Sequence, residues 1–470
     1  MLNLTNSQLI SIGVNIGIFL IILLGSIILI QKIKLNNKGY KYLFILYTFF
    51  WIPIMLLRSY RGTMQSIIDP QFLWIVTSIY GFIGIFVRLF ADVINYLFKY
   101  RKAFLYFSLI AQFALIVPLM ININTVNNIL SAISIGIGAS CIGTYELLFR
   151  EQYGSNKKAF LTISILSIPP LLANFLTAPI QSIVKTASTI NGTVDPNKLI
   201  YMWYIGAAFI FIAFIMLIFY KERRRQTYTL INKKIEKLNS IKIVNHSSSF
   251  LFIALAIIGS IIAFVKFANS GSMGTLHLQN LAYYSHNNSQ SYEGYLSVIF
   301  SLAQLVAGVL IGTVLVKKMN TISIFSIGAM SWIIYCIATS FIKNPIGYFI
   351  IHSLNGFGYG ILYNLILAIV LSITLSNKII TKVGLYQSIL AVGITISGWF
   401  TNWLKTILNK SGTFESYMNT YLIQNMILVG VIIVIWVSYI LVTIYNNKTN
   451  YPYRKKEKIN NTNKFKFINI

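Results

Sequence analysis

Apolar residues come in long, nearly unbroken runs along this chain, and polar residues gather between them. The runs cover about 9–31, then 42–64, 71–98, 103–121, 128–150, 159–184 and 200–220. A polar segment rich in Lys and Arg fills 221–248, and further runs follow at about 249–270, 292–316, 322–342, 345–375, 380–404 and 421–446. Runs of about 20 apolar residues match helices that cross bilayer hydrocarbon, not the short alternating strands of a membrane barrel. The pattern predicts an all-α integral membrane protein in five parts. An extra N-terminal transmembrane helix and basic loop (1–40) precede a six-helix bundle (41–220). A basic linker (221–248), a second six-helix bundle (249–447) and a basic tail (448–470) follow.

Composition supports this reading. The chain is 56% hydrophobic and only 10% charged, whereas a soluble domain carries about 25% charged residues. A net charge of +28 would suit nucleic acid, but the cations sit in short loops between apolar runs. There they act as topology signals and contacts for anionic lipid head groups. The expected partners are therefore the lipid bilayer and a small-molecule substrate, with no nucleic acid, and the chain is expected to work as a monomer. With the tail placed in the cytoplasm, the basic loops 32–41, 99–102, 150–158, 221–242, 317–318 and 378–382 all fall on that side. Loops 122–127, 185–199, 271–291, 343–344 and 405–420 fall opposite, rich in Asn, Ser, Thr and Gly. This alternation predicts a multi-pass protein of the plasma membrane, its C-terminus cytoplasmic and its N-terminus outside. Residues 1–8 lack a basic n-region, so the first run is expected to be retained.

Little catalytic chemistry is on offer. Cys141 and Cys336 lie within separate apolar runs, and no zinc-ligand spacing or nucleotide-binding Gly-x-x-x-x-Gly-Lys-(Ser/Thr) loop occurs. Four scattered histidines provide no constellation for an enzyme, and no metal or other cofactor is expected.

The stretch Arg88-Leu-Phe-Ala-Asp92-Val-Ile-Asn-Tyr-Leu-Phe-Lys99-Tyr-Arg101-Lys102 closes one run and opens the next. Arg88 and Asp92, four residues apart, share a helix face and are expected to pair there. The stretch resembles the loop between helices 2 and 3 of major facilitator superfamily transporters, roughly Gly-x-x-x-Asp-(Arg/Lys)-x-Gly-(Arg/Lys)-(Arg/Lys). Arg88 replaces the first Gly and Asn95 the later one, while Asp92 and the pair Arg101-Lys102 remain, set further out. The resemblance, with the 6+6 plan, covers about residues 40–447 and implies that family's fold and a secondary transporter. A counterpart, Ala307-Gly308-Val-Leu-Ile-Gly312-Thr-Val-Leu-Val-Lys317-Lys318, lies in the second half without the Asp. Glu146-Leu-Leu-Phe-Arg150 repeats the four-residue charge pairing and resembles the Glu-x-x-x-Arg of the family's sugar porters. Arg150 is expected either to latch onto Asp92 or to pair locally with Glu146. Arg88, Asp92, Arg101, Lys102, Glu146 and Arg150 are thus the candidate gating residues.

Ionisable residues inside membrane helices mark function by default. Arg58 lies about 17 residues into the first core helix and Lys266 about 18 into the seventh, which at about 1.5 Å per residue puts them at similar depth. Facing one another, they would clamp an anion; otherwise each snorkels to the outer interface, as Arg61 is expected to do. Met55-Leu-Leu-Arg58-Ser-Tyr60-Arg61 and Ile262-Ala-Phe-Val-Lys266-Phe-Ala resemble the matching helices of organophosphate/phosphate antiporters. Those carry Arg in both places; the Lys here lacks a bidentate fork, and 159–184 offers Asn174, Thr177 and Gln181 but no His. Polar candidates for substrate contact are Tyr359, Tyr363 and Asn364 beside a Gly356-Phe-Gly358 stretch, Gln387 between Tyr386 and Ser388, and Gln304. His352 and Glu293 are placed near an outer end, and Asp92 and Glu146 too near the cytoplasmic face to relay a proton.

The reading that follows is a transporter working by alternating access, moving a small anionic metabolite such as a sugar phosphate. The alternatives are a cation-coupled or facilitative carrier of a neutral metabolite, a drug exporter, or a non-transporting scaffold or sensor.

Overall fold

The structure, a computed structural model, describes residues 38–58, 60–98, 100–153, 168–190, 193–222, 245–270, 277, 278, 281, 293–373, 382–408 and 414–457. Single positions 13, 17, 20 and 24 of the first run are also described, and all are helical. The rest of that run, and with it the expected extra helix, lies outside the described residues.

Helices dominate, because in hydrocarbon each backbone N–H and C=O must be satisfied within its own segment. In chain order they are α1 (Lys38–Arg58), α2 (Tyr60–Ile68), α3 (Leu73–Leu97), α4 (Lys102–Ile121), α5 (Thr125–Ser140), α6 (Ile142–Tyr153) and α7 (Ile168–Ser188). The short α8 (Pro196–Leu199) leads into α9 (Tyr201–Phe219). The second half holds α10 (Asn245–Ser270), α11 (Glu293–Leu310), α12 (Val316–Lys318), α13 (Thr321–Phe341), α14 (Pro345–Ile373), α15 (Lys382–Leu408) and α16 (Phe414–Glu457). A π turn, Ile311–Leu315, joins α11 to α12. Between α7 and α8, β1 (Thr189–Ile190) pairs antiparallel with β2 (Thr193–Val194), Thr189 opposite Val194. Ten helical stretches among the described residues are long and apolar enough to cross a membrane, and Leu296–Leu310 is a shorter apolar helix. The chain is a multi-pass membrane protein.

The Asn- and Asp-bearing loops have a structural job. Asn124 accepts from the Asn127 N–H at 2.9 Å to start α5, and Asn320 accepts from the Ser323 N–H at 2.7 Å to start α13. Each caps donors that a helix start leaves orphaned.

Helix α1 packs on α5, α7 and α9, and α4 on α5 and α9; in the second half α10 packs on α14, α15 and α16, and α14 on α11 and α13. The halves meet along α3 with α15 and along α7 with α11. Across the first seam the Ser388 hydroxyl donates to the Ile85 carbonyl at 2.8 Å; across the second, Asn174 Nδ2 donates to Ser301 Oγ at 2.5 Å. Helix α3 shows the inverted logic of a membrane. Phe82, Phe86 and Phe90 are 48–58% exposed on one face, while Arg88 and Asp92, on the other, are 6% and 4% exposed.

Lipid tails are as apolar as leucine, so helices here are held by close approach rather than by hydrophobic drive. Two glycines carry that approach. A Cβ at Gly393 of α15 would collide with the Ser260 carbonyl oxygen of α10, and one at Gly356 of α14 with the Phe300 carbonyl oxygen of α11. Gly430 of α16 has open space instead. Gly393→Val is therefore expected to cost about 1–3 kcal/mol by overpacking, seen as a lower melting temperature of the detergent-solubilised protein. Gly430→Ala should leave that temperature unchanged; equal effects of the two would contradict the packing.

Candidate functional site

The first half of the site is built where α1 gives way to α2. Pro53 lies inside α1 and Arg58 is its last residue. From α7, Gln181 Nε2 donates to the carbonyls of both Met55 and Leu56, each at 3.0 Å. This satisfies acceptors at the helix end and fixes the turn that carries Arg58. One turn on, Arg61 is buried, 7% exposed, contrary to the expectation that it snorkels. The cause is α3, which covers it. Arg61 Cζ lies 4.6 Å from the Tyr80 ring centroid, and Nη2 donates to the Thr77 carbonyl at 3.5 Å.

The second half contributes Lys266 of α10, 8% exposed. Its ammonium sits 4.2 Å from the Phe267 ring centroid, 4.7 Å from that of Tyr359 and 5.6 Å from that of Phe300. Cation–π attraction of this kind offsets part of the desolvation of a buried cation. Arg58 Cζ lies 5.5 Å from the same Phe267 ring. Both cations line one central cavity between the halves, as do Tyr359, Tyr363, Asn364 and Gln387. Arg61 lines it too. Arg61 lies three positions after Arg58 in the sequence, and that closeness was the signal for it.

The gating candidates divide. Arg88 does not pair with Asp92. It turns into the cavity, where its Nη1 donates to the backbone carbonyl of Gln387 on α15. Glu146 also lines the cavity rather than the basic end of the bundle, and its partners come from the other half. Gln387 Nε2 donates to Glu146 Oε1 and Oε2 at 3.2 and 3.1 Å, and the Tyr363 hydroxyl donates to Oε1 at 3.4 Å. The acidic group missing from the sequence reading of the bundle interior is therefore Glu146. It lies on α6, five positions past Cys141, the residue between α5 and α6. His352 likewise lines the cavity, 1% exposed, its Nδ1 3.1 Å from the Tyr335 hydroxyl.

Asp92 meets Arg101 instead, at 4.0 Å. That contact belongs to a second cluster at the basic end. Glu222, just past α9, accepts from the Arg101 and Lys102 backbone N–H groups at 2.9 and 2.8 Å, capping α4 from about 120 positions away. Lys102 Nζ donates back to the Tyr220 carbonyl at 2.7 Å. Asn95, in the place of a motif Gly, accepts from the Phe104 N–H at 3.4 Å. The stretch thus ties the end of α3, the start of α4 and the first residues of the linker together. Sequence reasoning missed Glu222, which has no helix neighbour in sequence to betray its partner. The side chains of Arg150, Glu293 and Lys317, and all of Lys99, lie outside the described residues, and so does the proposed Arg150 latch. No group of three or more His, Cys, Asp or Glu residues that would hold a metal occurs among the described residues.

Solved structures with this arrangement of helices are transporters of the major facilitator superfamily. The proton:xylose symporter XylE, bound to 6-bromo-6-deoxy-D-glucose, is 13% identical with a TM-score of 0.60 over 85% of this chain and 96% of its own. The nucleoside transporter NupG is 13% identical with a TM-score of 0.59 over 86% of this chain and 99% of its own. FucP in its outward conformation is 12% identical with a TM-score of 0.50. At these identities the likeness shows the fold, two six-helix bundles. No protein-family model and no curated protein matches the sequence.

The Glu146–Gln387 contact is testable as a pair. Glu146→Gln and Gln387→Leu are each expected to lower thermal stability, since an intramolecular hydrogen bond contributes about 0.5–1.5 kcal/mol. The double variant should lose less than the sum, with a coupling of about 0.5–3 kcal/mol. Strictly additive losses would mean that the two side chains do not interact.

Proposed function

We propose that the chain is a secondary transporter working by alternating access, its two halves (41–220 and 249–447) rocking about the central cavity, and that it moves a small organic anion. The observation that carries the reading is the charge of the cavity wall. Arg58, Arg61 and Arg88 come from the first half and Lys266 from the second, against Glu146 as the carboxylate among the described lining residues. Cations kept inside a membrane protein at such cost are retained for a ligand of opposite charge. Because they come from both halves, a bound anion is shared across the seam that must open and close. Arg88, Glu146, Gln387 and Tyr363 then form the gate between α3, α6, α14 and α15. The Asp92–Arg101 contact and Glu222 brace the linker (221–248) at the end we assign to the cytoplasm of a plasma-membrane protein. One chain holds both halves, so a monomer suffices.

A second reading is a neutral sugar or nucleoside. It is favoured by the xylose symporter and the nucleoside transporter among the structural neighbours and by the aromatic and amide groups Tyr359, Asn364 and Gln387 in the same wall.

A thermal-shift screen of the purified protein against organic anions, neutral sugars and nucleosides separates the two. Ligand at 100 times its Kd stabilises by about 2.7 kcal/mol. Anions alone should raise the melting temperature, and Arg58→Ala or Lys266→Ala should remove the effect and abolish anion uptake into proteoliposomes. Stabilisation by a neutral compound that survives in the Arg58→Ala/Lys266→Ala double variant would overturn the anion reading.

A further inference from the structure

We infer that His352 contacts the ligand through its Nε2 atom and that the ligand bears a hydroxyl group at that point. The inference rests on the central cavity being the binding site, and it holds for an anionic and a neutral ligand alike. Two histidines are among the described residues, and their surroundings differ. His277 is 0% exposed, and its ring stacks on that of Tyr421 with centroids 3.7 Å apart. Its Nδ1 lies 2.8 Å from the Tyr417 hydroxyl, and its Nε2 is sealed in protein without a partner. That is a packing role. His352 instead lines the central cavity, and its Nε2 is not sealed.

Tyr335 of α13 fixes the His352 ring. The Tyr335 hydroxyl lies 3.1 Å from His352 Nδ1 and 3.5 Å from the Tyr348 hydroxyl. The Phe300 ring of α11 lies against the imidazole, centroids 5.9 Å apart. Nδ1 is thus committed to the protein, and Nε2 is the nitrogen left for the cavity. The Lys266 ammonium lies 5.6 Å from the same Phe300 ring, and a second cation beside it would be repelled. The ring is therefore read as the neutral imidazole, with one N–H and one bare nitrogen. Protons along His352, Tyr335 and Tyr348 can be ordered in either direction. In one order Nε2 donates, and in the other it accepts. A ligand hydroxyl both donates and accepts, so it fits either order, whereas a carboxylate oxygen or an ammonium fits only one. A site that bonds a hydroxyl rejects the analogue lacking it, because its own buried polar group is then left unpaired.

The test uses D-xylose, uridine and D-gluconate, each compared with its monodeoxy analogues. Affinities for the full-length protein in detergent are read by calorimetry, and melting temperatures of the ligand-free variants check that they are folded. For a probe that binds, loss of one particular hydroxyl is expected to lower affinity about tenfold or more. His352→Leu should lower affinity for the parent compound about tenfold and leave that for the matching deoxy analogue unchanged. His352→Gln, which keeps a donor and an acceptor, should restore part of the preference. Tyr335→Phe, which releases Nδ1, should reduce the ratio of parent to deoxy affinity, marking Tyr335 as a positioning residue. A histidine that only packs would weaken parent and analogue by the same factor or weaken neither, and either result overturns the inference. So does a bound probe that none of its deoxy analogues distinguishes, and so does failure of all three probes to bind. A cavity ligand without any hydroxyl overturns the inference while leaving the binding site in place. Absence of any organic ligand overturns both.

Discussion

A charge inside a bilayer is tolerable only where protein surrounds it, and that constraint orders this molecule. Helix α3 turns its phenylalanines to the lipid and its Arg88 and Asp92 inward. Once inward, each charge needs polar partners, and the helix that bears it cannot supply them, because its own backbone groups are already bonded. Arg88 finds the Gln387 carbonyl and Glu146 the Gln387 amide, both across the seam between the halves. The cost of burying these charges thus becomes an adhesive between the two halves. It is an adhesive easily remade, since a hydrogen bond to a side-chain amide breaks without exposing apolar surface to water.

The rest of the packing works in the same currency. Without a hydrophobic drive between helices, contact depends on backbones that approach closely and on side chains that reach carbonyls. Gly393 and Gly356 provide the first. Gln181 provides the second, and in doing so holds the end of α1 where Arg58 enters the cavity. Stability and site geometry are therefore not separable here: the residue that satisfies the Met55 and Leu56 carbonyls also positions a cation that lines the cavity. The aromatic rings have the same double role. Phe267 and Tyr359 fill the space between the halves while their faces hold Lys266 and, for Phe267, Arg58.

At the basic end, Asp92, Arg101 and Glu222 join α3, α4 and the start of the linker. The stretch from Arg88 to Lys102 therefore serves two places. Its first residue belongs to the central cavity and its later ones to the linker, about four helical turns apart along the chain. Any change in the tilt of α3 is felt at both.

Membrane character, the order of the apolar runs and the 6+6 plan were legible in the sequence, because hydrocarbon thickness imposes a run length that little else in a chain imitates. Rise per residue gave Arg58 and Lys266 similar positions along their helices, and in the structure both line one cavity and approach the Phe267 ring. Which neighbour each side chain meets was not. Periodicity gave Arg88 and Asp92 a common face, yet Arg88 bonds to α15 and Asp92 to Arg101. Counting from the helix end placed Glu146 near the basic face, but in the structure it lines the cavity and meets Gln387 and Tyr363 of the other half. Arg61 read as a snorkelling cation until α3 closed over it. One-dimensional spacing fixes depth and face within a helix; the partner across the gap depends on how separate helices cross, and only the tertiary structure decides that.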